Sequence, residues 1–185
     1  MENVIANYDA VLQSIQTYDA NPENKFSLLT REVYVYSLKI YQAELFKSLQ
    51  RTPNSISILQ PKQIYNTLFN IALLSINYLG KYISNTSNTT NTTNTTNTSN
   101  KSNKSKSQIM DENRTLFHKK NADYGNSFQD FELIGILVRL NDKINRIVSL
   151  DNTSPYIHDE KMEDTMNDLY NYSIIGLMYN RAPHV

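Results

Sequence analysis

The stretch Phe131 to Leu150, FELIGILVRLNDKINRIVSL, sets the terms for everything around it. Wound at about 100° per residue, it gathers its charges in one narrow arc. That arc holds Glu132, Arg139, Asp142, Lys143 and Arg146, with Gly135 among them. The rest of the circumference is Leu133, Ile134, Ile136, Leu137, Val138, Leu140, Ile144, Ile147 and Val148. A helix apolar around most of its girth is expected to be buried on several sides. Its charged stripe is then either the one face left to water or the wall of a polar site inside a helical bundle.

Five more helical patterns accompany it. Met1 to Tyr18 repeats Val4, Ile5, Tyr8, Val11, Leu12, Ile15 and Tyr18 at helical spacing, and Asn21-Pro22 breaks it. Lys25 to Arg51 is a second helix, with Leu28, Leu29, Val33, Tyr36, Leu38, Ile40, Leu45 and Phe46 as candidate core. Thr30 is a candidate N-cap inside it, and Thr52-Pro53-Asn54 ends it. Pro61, suited to a first helical turn, opens a third helix that runs to about Ile83, with Gly80 near its end. Gln108 to Lys120 is a fourth, closed by Asn121-Ala-Asp-Tyr-Gly125. After a loop from Asp151 to Pro155, Asp159 to Asn180 is the sixth, with Met162, Met166, Leu169, Ser173, Gly176 and Leu177 on one side. No segment alternates at period two, so the expected class is all-α.

Asn85 to Ser107 is a tract of Asn, Thr and Ser ending in a Lys-Ser-Asn run. With no apolar residue it cannot offset its own ordering entropy, and it reads as a disordered linker. Such a tract is what triplet expansion in an AT-rich genome produces. The expected organisation is a helical half over 1–83, a linker over 84–107 and a second helical half over 108–185. Displacing the chain by 101 positions lays Ser48-Leu49 on Ser149-Leu150, and Asn66, Leu68, Asn70 and Tyr78 on Asn167, Leu169, Asn171 and Tyr179. This points to a degenerate tandem repeat of a helical hairpin. One antiparallel pair cannot bury its own core. Two halves together give a bundle of four main helices, 25–51, 61–83, 131–150 and 159–180, capped by 1–18 and 108–120.

Composition narrows the function. With Lys+Arg 18 against Asp+Glu 18, the chain carries no broad electrostatic footprint for nucleic acid. The absence of cysteine excludes thiol chemistry and suits a reducing compartment. The N-terminus MENVIANYDA has no basic or apolar leader pattern, and Ile64 to Leu79, broken by Asn66, Asn70, Ser75 and Asn77, is too polar to span a bilayer. The expected location is therefore intracellular and cytoplasmic, or host cytoplasm for a viral chain, and not secreted.

Two charged constellations could carry chemistry. Glu160, Asp164 and Asp168 stand at i, i+4 and i+8, so their like charges share one helix face. A cation would relieve that repulsion, and Mg²⁺, commonly held by one or two carboxylates plus substrate phosphates, suits it. A solvated acidic face is the other reading. Arg139, Lys143 and Arg146 share one face of the fifth helix, and arginine forks match phosphate oxygens. The basic and acidic stripes could hold a metal-bound di- or triphosphate between them, or could simply pair as structural salt bridges. Asp123, in Asp-Tyr-Gly125, could join the stripes as a further ligand or merely mark the helix stop. Asn171 and Tyr172 could read a base or ribose, or pack. His118 has no second His or Cys at metal-ligand spacing, which argues against zinc.

Three pieces together, KKNADYG (Lys119 to Gly125), RLNDKINRI (Arg139 to Ile147) and EKMEDTMNDLYNY (Glu160 to Tyr172), resemble the nucleotide-modification-associated domain family, type one. The resemblance covers roughly 108–179. Members occur in phages, bacteria and large DNA viruses, some in tandem copies. The resemblance implies a role in nucleotide metabolism or DNA base modification. The helical layout is also similar to the all-α nucleotide pyrophosphohydrolases of the MazG type, which use acids on adjacent helices to bind Mg²⁺ and release pyrophosphate from a nucleoside triphosphate. On that reading Glu160, Asp164 and Asp168 hold the metal, Arg139, Lys143 and Arg146 hold phosphates, and Asp123 or Glu132 orients water. The earlier helix lacks the paired Glu-x-x-Glu of those enzymes, Glu132 being the only acid near its start. The alternative is a module that binds a nucleotide or a partner protein without turnover. Homodimerisation would enlarge the bundle in either case.

Overall fold

The computed structural model of the chain describes residues 2–21, 25–47, 61–83, 104–124, 132–151 and 158–179. Among the described residues there are six α-helices: α1 (Glu2–Asp19), α2 (Arg31–Lys47), α3 (Pro61–Tyr78), α4 (Lys106–Tyr124), α5 (Glu132–Asp151) and α6 (His158–Tyr179). A 3-10 turn, Lys25–Leu28, precedes α2, and a π turn, Leu79–Ile83, prolongs α3. No strand occurs among the described residues, and the chain is all-α. The linker from 85 to 103, the stop at 52–54, Pro22, Gly125 and the loop residues 152–155 lie outside the described residues.

The centre of the molecule is α6. It packs along α3 on one side and α5 on the other, and α2 closes the ring against α3 and α5. These are the four main helices of the bundle. The helix α1 rests on α6, and α4 lies beside α1, α3 and α6. Met162, Met166, Leu169, Ile174 and Leu177 of α6 are fully buried, as are Leu68, Ile71 and Leu74 of α3. Each such side chain stabilises the fold by about 2 kcal/mol. Gly176 lets α6 come close to its neighbours. A Cβ there would sit 3.0 Å from Leu68 Cδ1 and 3.4 Å from Ile136 Cγ2.

Local chemistry sets the helix starts. Ser105 and Gln108 form a reciprocal capping box: the Gln108 amide donates to Ser105 Oγ at 3.2 Å, and the Ser105 amide donates to Gln108 Oε1 at 2.8 Å. Accordingly α4 starts at Lys106, inside the stretch read as linker. It also runs through Asn121 to Tyr124 rather than closing at Lys120, because Asn121 is buried on its inner side. The second helix starts at Arg31, not Lys25. The Thr30 carbonyl accepts its first bond from the Tyr34 amide at 3.0 Å. Lys81 donates to the Leu29 and Ser27 carbonyls at 2.8 and 3.3 Å, fastening the segment before α2 to the end of α3.

Two expected faces are corrected. Leu28, Val33, Tyr36 and Ile40 are exposed, and α2 buries Tyr34 and Val35 beside the expected Leu38 and Leu45. On α5, Ile136, Leu137, Leu140, Ile144 and Ile147 are buried, but Ile134 is 65% and Val138 48% exposed. The helix packs on α6 and α2 and leaves its outer apolar side open.

Candidate functional site

The charged stripes of α5 and α6 meet. Lys143 Nζ donates to Asp168 Oδ2 at 2.6 Å, with side-chain exposures of 22% and 32%. Arg146 on α5 and Asp164 on α6 line the same depression, so the two helices run antiparallel with basic opposite acidic residues. The third wall is α4, whose Lys120 Nζ stands 4.0 Å from Asp168 Oδ1. Glu112, Asn113 and Leu116 complete that wall, and Asn167 joins Asp164 and Asp168 on α6. Together they enclose a cleft of about 410 Å³.

Neutral amides form the inner end of this cleft. Tyr8 OH, from α1, donates to Asn171 Oδ1 at 2.7 Å. Asn171 Nδ2 donates to Asn113 Oδ1 at 2.6 Å, and Asn113 Nδ2 donates to Asn167 Oδ1 at 2.7 Å. The Tyr8 ring stacks on Phe117 of α4 with centroids 4.1 Å apart. Burial, with the nearby Asp9 carboxylate, pushes the Tyr8 phenol well above its ordinary range, so it remains a donor. Alongside, Arg114 holds Asp9 through Nε and Nη2, both at 2.6 Å. That fork keeps the Asp9 carboxyl below its usual value.

The sequence-derived residues are distributed as follows. Lys143, Arg146, Asp164 and Asp168 come together at the cleft. Arg139 is exposed, one helical turn before Lys143. Asp123 is exposed in the last turn of α4, three residues beyond the cleft-lining Lys120. Glu132 and Glu160 occupy the first turns of α5 and α6, and their side chains lie outside the described set. Asn171 is engaged on both sides of its amide by Tyr8 and Asn113, and Tyr172 is half-buried against the core. Among the described residues no group of three His, Asp or Glu side chains is close enough to hold a metal ion by itself. His118 lies 3.9 Å from Asp9, its Nε2 buried.

Sequence reasoning passed over the α4 wall. Glu112, Leu116 and Lys120 stand at i, i+4 and i+8 and so share a face, but that face begins upstream of the motif that drew attention. Asn113, Asn167 and Tyr8 gave no sign, since amides and tyrosines on packed helices are usually structural.

An all-α bundle with a charged cleft, assembled by its second half and buttressed by α1, is what fold and site define. Residues 120–179 match the model of the family described as nucleotide modification associated domain 1. The matched segment contains all of α5 and α6 and the last turn of α4, leaving Glu112, Asn113 and Leu116 just upstream. No curated protein and no solved structure matches the chain. Among the described residues no helix is long and apolar enough to cross a membrane.

Proposed function

We propose that the cleft between α4, α5 and α6 binds the phosphate chain of a nucleoside or deoxynucleoside triphosphate and hydrolyses it to monophosphate and pyrophosphate with Mg²⁺. The observation that carries this reading is the meeting of a basic and an acidic stripe at one cleft, in a segment matching a nucleotide-modification-associated family. Arg146 and Lys120 on the cleft wall, with Lys143 on Asp168 and Arg139 one turn before it, would hold the phosphates. Asp164 and Asp168, joined by Glu112 and by Glu160 at the start of α6, would hold the metal. The donor set is too dispersed for a preformed ion cage among the described residues. It fits a Mg²⁺ that enters on the phosphate chain and needs only one or two carboxylates. When bound, Mg²⁺ neutralises charge on the phosphoryl oxygens.

In that reaction a water oxygen attacks the α-phosphorus while the bond from the α-phosphorus to the bridging oxygen breaks. Pyrophosphate leaves with that oxygen, and the water's proton passes to a carboxylate. Asp123, three residues past Lys120, is the candidate for that carboxylate, whereas Glu132 stands eleven residues, about 16 Å of helix, before Lys143. Incubating the full chain with a panel of dNTPs and Mg²⁺ tests the reading. Equimolar pyrophosphate and monophosphate are expected, with Asp168→Asn slower by about 100-fold. No pyrophosphate from any dNTP would remove the enzymatic reading.

A second reading, a nucleotide-binding module without turnover, is favoured by one feature. Asp168 is already held by Lys143 at 2.6 Å and faced by Lys120 at 4.0 Å, which competes with a metal. Thermal stabilisation by nucleotide without product release would select it.

A further inference from the structure

The outer face of α2 leaves a stripe of large apolar side chains in water. Val33 is 41%, Tyr36 65% and Ile40 43% exposed. Glu32 and Lys39, of opposite charge, are exposed beside them. At about 100° per residue, Val33 and Ile40 lie about 60° and 40° to one side of Tyr36. Glu32 and Lys39 lie about 40° and 60° to its other side. The face is thus apolar on both sides of Tyr36 along one edge, and opposite in charge on its two sides along the other. Glu32 is ionised, its carboxyl held below the usual range by hydrogen bonds from its own amide and the Thr30 hydroxyl. A carboxylate has acceptor sites beyond those two. Single apolar side chains scattered over a surface are ordinary. A stripe that complements itself in both shape and charge is what an isologous contact requires.

We infer that this face joins two copies of the chain, their α2 helices antiparallel about a two-fold axis at Tyr36. That axis sets Val33 within about 1.5 Å, in height along the helix, of Ile40 of the second copy. It sets Glu32 equally close in height to Lys39 of the second copy. Each pairing occurs twice, and Tyr36 meets its own copy at the centre. The inference is independent of the nucleotide reading. Within the bundle α2 packs on α3 and α5, across from α6. The cleft between α4, α5 and α6 therefore stays open in both copies. One helix pair buries less than a standard interface, so the dimer is a weak one, with a dissociation constant on the order of 10 µM.

The test is sedimentation velocity of the full chain from about 1 to about 300 µM, which should pass from monomer to dimer. Glu32→Lys or Lys39→Glu alone sets like charges together at both pairings and should weaken association about tenfold. The double variant Glu32→Lys, Lys39→Glu restores opposite charges and should return the affinity to within about threefold of the parent. Tyr36→Glu places two carboxylates at the axis and should leave a monomer. Tyr36→Cys gives a chain without cysteine one thiol at the axis, and air oxidation should join two copies through it. All these side chains are exposed, so each variant should keep the circular dichroism of the parent. The charge reversals decide the matter whatever Tyr36→Glu does to the fold. A chain that stays monomeric throughout would overturn the inference. So would a dimer that either single reversal leaves intact, or one that the double variant fails to restore.

Discussion

On the proposed reading Lys143 would have two duties that pull in different directions. Its ammonium neutralises Asp168 in the resting chain, and it stands where a phosphate would need a cation. Because both partners keep partial access to water, the pair contributes modestly to stability. Lys143→Met should cost about 1 kcal/mol or less in a urea titration. The same variant should weaken nucleotide binding by about tenfold, measured calorimetrically, since an unneutralised Asp168 then faces the phosphates. Asp9 makes a different prediction. Its carboxyl titrates below its ordinary value of 3.8, first through the Arg114 hydrogen bonds. A depressed carboxylate contributes stability that is present above the unfolded-state value and lost as pH falls through the folded-state one. Acid unfolding followed by circular dichroism should therefore show Asp9→Asn less sensitive than the parent chain to pH below 3.8. Equal acid sensitivity of the two chains would mean that the Asp9–Arg114 fork contributes no stability.

At the scale of single helices, pattern and structure part company in instructive places. The run of α6 was legible because its buried side, Met162 to Leu177, recurs at helical spacing and nothing interrupts it. On α2 the pattern places Leu38 and Leu45 inside, but Tyr34 and Val35 compete with Val33 and Tyr36 for the rest of the inner face, and only the position of α3 and α5 decides between them. The meeting of α5 and α6 was readable from opposite stripes of charge, whereas the α4 wall depends on which way a helix after a long polar tract happens to lie. Two substitutions probe these elements. Ser105→Ala removes half of the capping box and should lower stability by about 1 kcal/mol, read from the shift in the denaturation midpoint. Gly176→Val puts branched methyls where even a Cβ would lie 3.0 Å from buried Leu68. It should cost about 1–3 kcal/mol, and an unchanged Tm would show that α3 and α6 can slide apart freely.

Across the whole molecule two helix boundaries recur at the 101-position displacement, while the other corresponding ends are offset by a few residues from it. Arg31 begins α2 and Glu132 begins α5, and Tyr78 ends α3 and Tyr179 ends α6; both pairs are 101 positions apart. The chemistry does not recur. Leu45 stands in the register of Arg146, Ile15 in that of Leu116 and Thr67 in that of Asp168, and both Leu45 and Ile15 are fully buried. Core therefore fills, in the first half, the positions of Arg146 and of most of the α4 wall, while Gln63 and Asn66, in the register of Asp164 and Asn167, are exposed. Because α3 and α6 pack along each other, neither half is expected to fold alone. A fragment spanning 104–185 should show no cooperative thermal transition by calorimetry, while the full chain should show one. The claim on which the account turns is that phosphates bind between Arg146 and Lys120. A crystal structure of the full chain with Mg²⁺ and a non-hydrolysable dNTP tests it most directly. The account predicts the phosphate chain in the cleft against those two side chains, with the Asp164 side of α6 nearest the metal. A nucleotide seated on any other face of the bundle, with the cleft holding only the Lys143–Asp168 pair, would contradict it.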